Sequence, residues 1–198
     1  MEARSAIRWY CGSLLAVVVA LFLTASLGTT DGAAGDLKAT CAATPHPDAC
    51  VRALQAADPA AAAKSTTPRG LAEAAIRAAS TAGAAAGEYA RREMDVSKDN
   101  GVWQCLNECA EDIEEALSHL DDSEGDDAKL REVNKFLDTA EQDAWDCDDS
   151  CKGAPNNTVK ATLLAKNKDF EALMAVALSL IKRVTAGDAP APSSSSPP

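Results

Sequence analysis

The chain has 198 residues, 42 of them alanine, and carries 19 basic against 30 acidic side chains for a net charge of −11. Alanine is the best helix former and only eight aromatics occur, so the composition speaks for helices and against a large β-sandwich or a parallel α/β sheet. The acidic balance argues against a nucleic-acid-binding face, and two histidines leave most His-dependent catalysis and metal chemistry little to work with.

The N-terminus reads as a secretory signal, residues 1–30, ending somewhere between 28 and 35. Arg4 and Arg8 supply a positive start, Leu14 to Leu23 an apolar run, and Ala25, Ser26, Gly28, Ala33 and Gly35 the small residues of a cleavage region. A spanning helix needs about 20 apolar residues. This run is shorter and passes into Thr- and Gly-rich sequence, so cleavage is expected over anchorage, with no membrane association afterwards. Cys11 leaves with the signal.

A helical domain is expected over residues 36–185. Its first part brackets a Pro-containing turn between Cys41 and Cys50 and continues as a brief helix from about Asp48 to Ala56. A shorter piece comes next at Asp58-Pro59, where Asp can cap and Pro can occupy the first turn. This extension is too short to fold alone and must pack on the longer helices of the domain.

Four long amphipathic segments come next. The first spans about Pro68 to Val96, with Leu71, Ala75, Ala78, Ala82, Ala85 and Tyr89 as the candidate stripe. Its register is open, because Ala occupies several faces. The second spans about Val102 to Leu120, with Leu106, Cys109, Ile113, Leu117 and Leu120. The third spans about Ala128 to Cys151, with Leu130, Val133, Leu137, Ala140, Ala144, Cys147 and Cys151. The fourth spans about Val159 to Val184, with Val159, Leu163, Phe170, Leu173, Ala177, Leu180 and Val184, and Lys166 as a polar intruder. Stripes of this period bury one face each. The short connections at Asn100-Gly101, Gly125 and Gly153 to Pro155 make neighbours antiparallel. The predicted fold is all-α, an up-down-up-down four-helix bundle with an N-terminal helical hairpin. Residues 186–198 form a Pro/Ser tail that cannot bury enough surface to order itself.

Six cysteines remain after signal removal, an even number in a secreted chain, which implies disulfides. Cys41 and Cys50 are near in sequence and apart from the rest. The other four form two Cys-x-x-x-Cys units on facing helices. An antiparallel hairpin matches inner with inner and outer with outer, Cys109 with Cys147 and Cys105 with Cys151. The crossed pairing would be about two turns out of register, beyond the reach of a disulfide. A four-thiolate zinc site fits the same spacing, and the secretory start favours disulfides over it.

Little else suggests chemistry. His46 and His119 have no neighbouring nucleophile and are expected to face solvent. There is no Gly-rich phosphate loop. Ten acids and no Lys or Arg fall between Glu108 and Asp127. The loop Asp121 to Asp127 lacks the ligand order and glycine of an EF-hand. A solvated acidic face that steers a basic partner is the expectation. No catalytic, cofactor or metal site is expected. Asn156-Asn157-Thr158 is an N-glycosylation sequon in a Gly/Pro loop, which makes Asn156 a candidate glycan site.

The segment from Leu37 to Leu54 carries Cys41-x-x-Thr44-x-x-Pro47-x-x-Cys50 and then apolar Leu54. It resembles the opening of the plant pectin methylesterase and invertase inhibitor family. Cys105-Leu-Asn-Glu-Cys109 is similar to the family's Ala-Leu-x-x-Cys, with Ala116, Leu117 and Leu120 at the family's spacing. Cys147 falls at its fourth cysteine, after Phe136 to Ala140. The resemblance covers about residues 37–184. It implies the four-helix bundle with its hairpin and the pairs Cys41–Cys50 and Cys109–Cys147. The family's aromatic after its third cysteine is Ile113 here, its Thr before the fourth is Asp146, and Cys105 and Cys151 are additional.

The function this implies is that of a secreted, apoplastic inhibitor, not an enzyme. It would bind pectin methylesterase one-to-one and occlude its substrate cleft without chemistry. Inhibition of acid invertase is the second reading. Some invertase inhibitors carry a Pro-Lys-Asn-Phe-like motif, of which Val133-Asn134-Lys135-Phe136 is the nearest match, without the Pro. A non-inhibitory cell-wall structural or signalling protein is the third. The candidate interface is the exposed faces of the second and third long helices, at Glu111, Glu115, Arg131, Lys135 and Asp138.

Overall fold

Proline at the first helical position and Asp48 in the first turn start helix α1, Pro47–Ala56, which buries Cys50 and Leu54. The computed structural model describes residues 37–56, 67–120, 127–143 and 147–187. The chain divides into units Met1–Leu37 and Lys38–Pro198, and the helical fold is that of the second. The expected signal, Asp58-Pro59, the loop 121–126 and the Pro/Ser tail lie outside the described residues.

Helix α2, Pro68–Met94, begins where the Thr67 hydroxyl accepts a hydrogen bond from the Gly70 amide at 3.0 Å. Its buried face runs through Ala72, Ala75, Ala79, Gly83, Ala86, Gly87 and Ala90. The expected stripe agrees only at Leu71 and Ala75. Ala78, Ala82 and Tyr89 are half-buried and Ala85 is exposed. Alanine fits either face, so the choice fell to the partners rather than to the helix. Helix α3, Asn100–Leu120, is capped by Asp99, whose carboxylate accepts from the Val102 amide at 2.9 Å. Leu106, Cys109, Ile113 and Leu120 are buried as the stripe predicts, and Leu117 is half-buried.

The third predicted segment forms two helical stretches, α4 at Asp127–Asp143 and α5 at Cys147–Ser150. Residues 144–146 between them, and the side chains of Ala140 and Ala144, lie outside the described residues. Leu130, Val133 and Leu137 bury the α4 stripe. Helix α6, Thr158–Gly187, is capped by Asn157, whose side chain accepts from the Lys160 amide at 2.8 Å. Leu163, Phe170, Ala177 and Leu180 are buried as expected, joined by Met174 and Asn167. Asn167 donates to the Glu171 carboxylate. Lys166, the polar intruder, is half-buried, and its ammonium lies 5.7 Å from the centroid of the Tyr89 ring.

Helix α2 packs most broadly on α6 and next on α3, α4 packs on α6, and α3 and α4 touch only narrowly. Gly83 faces Phe170 and Leu117, while Gly87, one turn on, faces Ile113, so α2 and α3 run antiparallel. The Tyr89 hydroxyl donates to the Val159 carbonyl at 3.4 Å, which sets α2 antiparallel to α6. The long helices bury Phe170, Leu106, Ile113 and Ile181 between them. The small α2 side chains permit the close approach.

The N-terminal hairpin, helical also at 37–42 before α1, packs through α1 on α2 and α6. Thr44 is buried because its hydroxyl donates to the Cys41 carbonyl at 2.8 Å, closing the turn between the two cysteines. Arg183 of α6 donates to the Thr40 and Ala43 carbonyls at 3.1 and 2.6 Å and holds the hairpin against the bundle.

Candidate functional site

The cysteine side chains define the rigid part of the surface. Cys41 is joined to Cys50 with Cα atoms 5.5 Å apart. Cys105 is joined to Cys151 at 4.5 Å, and Cys109 to Cys147 at 5.0 Å. The last two bonds are one helical turn apart and all four sulfurs are buried, so α3 and α5 are clamped in a single register. Among the described residues α3 and α4 touch little, and this double clamp ties α3 to the segment that comes after it.

One exposed face of α3 is acidic. Glu111 and Glu115 are exposed, and Glu108 and Asp112 are half-buried beside them. Glu108 accepts from Gln104 at 2.8 Å and Glu111 from Asn107 at 2.9 Å, which hold those carboxylates on the helix surface. Glu114 pairs with Arg91 of α2. Partial burial, reinforced by Glu115, Glu108 and Glu111, pushes the Asp112 carboxyl above the usual carboxylate range.

The sign of that shift fixes a pH dependence. Below the ordinary Asp value both folded and unfolded chains hold the proton. As pH rises through the window between the ordinary and the raised value, the unfolded chain releases it first and stability falls. Asp112→Asn is therefore expected to raise the melting temperature at pH 7 and to leave it nearly unchanged at pH 3. Thermal melts at the two pH values check this. An equal shift at both would show that packing, not charge, is responsible.

On α4, Arg131 and Lys135 are exposed, and Asp138 is half-buried with its carboxylate 2.7 Å from the Lys182 ammonium. Arg131 does not gather with Glu111 and Glu115 into one patch, and the Asp138 carboxylate is engaged with α6. Cys109 is level with Cys147, and exposed His119, near the end of α3, stacks on Phe136 with centroids 4.0 Å apart. Lys135 is therefore level with the end of α3 at Leu120, and Arg131 lies about one turn past it. At about 1.5 Å of rise per residue, Glu111 and Arg131 are separated by about 20 Å along the bundle. His46 is exposed in the hairpin turn. Among the described residues no group of three or more His, Cys, Asp or Glu side chains is placed to hold a metal ion.

A shallow groove of ≈ 270 Å³ opens between α1, α2 and α6, lined by Ala49, Arg52, Ala53, Ala82, Asp169 and Leu173. Sequence reasoning missed this groove, the anchoring role of Arg183 and the packing role of Gly83. Only the last left a signal, a pair of glycines one turn apart in an alanine-rich helix.

Comparison with known proteins agrees with this architecture. The family model described as plant invertase/pectin methylesterase inhibitor matches residues 35–180. A crystal structure of mutant form A of a pectin methylesterase inhibitor from Arabidopsis is similar with a TM-score of 0.54 and 19% identity, over 72% of this chain and 92% of that chain. At that identity the likeness shows the fold. No curated protein matches significantly. No helix among the described residues is long and apolar enough to cross a membrane. With most of its length matched by the family model, the chain belongs to the plant invertase/pectin methylesterase inhibitor family, a family of inhibitors and not of enzymes.

Proposed function

We propose that the protein is a secreted, apoplastic inhibitor that docks one-to-one on pectin methylesterase and blocks its substrate cleft by occlusion. Family membership over residues 35–180 is the observation that carries this reading. The mechanism asks for a surface that is already ordered, because ordering it on binding would cost affinity. The paired disulfides between α3 and α5 and the Arg183-held hairpin supply such a frame. The acidic face around Glu111 and Glu115 suits steering towards a basic enzyme. In this reading that face makes first contact and the exposed side of α4, at Arg131, Lys135 and Asp138, extends the contact area.

Invertase is the alternative target, suggested by Asn134-Lys135-Phe136. Two features weaken that motif as an exposed recognition element. The Asn134 side-chain oxygen is buried with no hydrogen-bond partner, and Phe136 is engaged with His119. Pectin methylesterase is therefore the favoured target.

The test titrates the mature, oxidised protein against one pectin methylesterase and one acid invertase, each at pH 5 and pH 7 and at two salt concentrations. The expected result is saturable one-to-one inhibition of the esterase alone, weakening as salt rises and as pH falls towards carboxylate values near 4. Inhibition of invertase alone would move the protein to the other branch. Inhibition that ignores both salt and pH would remove the role given to the acidic face.

A further inference from the structure

We infer that Asn156 carries an N-linked glycan, placed at the end of the bundle where α5 turns into α6. The sequon Asn156-Asn157-Thr158 is the sequence half of the argument. The structural half is a division of labour between the two asparagines. Asn157 is committed to the fold, since its side-chain oxygen caps α6 through the Lys160 amide at 2.8 Å. Asn156 is exposed and its side chain makes no hydrogen bond among the described residues, so its amide is available. Thr158 is also exposed; its backbone carbonyl accepts from the Thr162 hydroxyl, while its own hydroxyl has no such role in the fold.

The turn that presents Asn156 is held in place. The Ala154 amide donates to the Cys151 carbonyl at 3.1 Å, and the Lys160 ammonium donates to the Ala154 carbonyl at 2.9 Å. Pro155 closes over Gly101, where an added Cβ would sit 3.3 Å from its Cδ. A sugar at Asn156 thus projects from a fixed point beside the start of α3. The same end of the bundle carries Val96 and Trp103, the exposed large apolar side chains among the described residues. Glu111 and Glu115 lie about 15 and 20 Å further along α3, so the glycan leaves the acidic face open.

The reaction is a group transfer from a lipid-linked oligosaccharide. The Asn156 Nδ2 forms the bond to C1 of the first sugar and gives up one proton to the transferase. The C1–oxygen bond to the carrier breaks, and the lipid pyrophosphate leaves with the electron pair. This inference shares with the proposed function only the assumption that the chain enters the secretory pathway.

The full chain would be expressed in plant cells, and the intact mass measured separately for protein in the medium and in the cells. The expected result is a mass above that of the polypeptide, lost in both Asn156→Gln and Thr158→Ala and kept in Thr158→Ser and Asn157→Ser. Thr158→Ser and Asn157→Ser each preserve a sequon, and serine also caps a helix. Helical content by circular dichroism confirms that each variant folds. Unmodified protein in the medium would overturn the glycan and leave secretion standing. Unmodified protein retained in cells would overturn both. A sugar that survives Asn156→Gln would move the site elsewhere.

Discussion

Replacing Cys105, Cys109, Cys147 and Cys151 together by alanine should destabilise the protein by about 6.5 kcal/mol, whereas removing either bond alone should cost only about 2.5 kcal/mol. The asymmetry arises from the nesting of the two loops. The bonds join residues 46 and 38 positions apart, so whichever remains still closes a long loop in the unfolded chain. In the chain-entropy account a first closure of that length contributes about 4 kcal/mol. The second closes only a small ring, with one helical turn on each side, and adds less. Urea unfolding of the two double variants and the quadruple variant checks this. Strict additivity, with the quadruple loss equal to the sum of the two, would mean that each bond acts through local packing instead. Among the described residues α3 and α4 touch only narrowly, through contacts that include the His119–Phe136 stack, which raises the stakes.

Gly83→Ala should destabilise the bundle, while Gly87→Ala, one turn away on the same helix, should stabilise it by up to about 1 kcal/mol. A Cβ on Gly83 would sit 2.8 Å from the Phe170 ring and 3.0 Å from Leu117. Leu117 is half-buried and can give, but Phe170 is fully buried and its ring has nowhere to go. Overpacking of that kind costs about 1–3 kcal/mol, more than the helix-propensity gain. A Cβ on Gly87 would meet Ile113 at 3.5 Å, an ordinary contact. Phe170→Ala removes the central side chain and should cost about 3–5 kcal/mol. In a Phe170→Leu background the Gly83→Ala penalty should vanish, because the two positions share one contact. Chemical denaturation of the single and double variants reads all of these. A stabilising Gly83→Ala in the wild-type background would show that the ring can move after all.

Both expectations expose what was legible in the chain and what was not. The starts of the long helices were legible to within about two residues, Pro68 as expected and Asn100, Asp127 and Thr158 against the expected Val102, Ala128 and Val159, while the caps that set three of them, Thr67, Asp99 and Asn157, emerged only from the structure. The pairing of the α3 and α5 cysteines came from a repeat of one helical turn, which leaves few ways for two helices to face each other. The buried face of α3 was readable because Leu106, Ile113 and Leu120 stand out among its acids. The buried face of α2 was not. Ala78, Ala82 and Ala85 carry the same side chain as Ala75, Ala79 and Ala86, and no local signal separates them.

The candidate interface shows the same limit from the functional side. Glu111, Glu115, Arg131, Lys135 and Asp138 were selected as exposed charges on two adjacent helices, and each stands on the helix assigned to it. Their separation along the bundle depends on where α3 stops relative to α4, which the clamp and the His119–Phe136 stack decide.

The sequence by itself determined an acidic, helical, cysteine-rich chain of the inhibitor family, because composition, hydrophobic period and cap residues act over one or two turns. Only the tertiary structure decided which alanines are core, that Gly83 exists to admit Phe170, that Arg183 holds the hairpin, and that Arg131 lies past the end of α3. Each of those depends on a contact between residues far apart in the chain, and an alanine-rich helix offers every face equally until a partner chooses one.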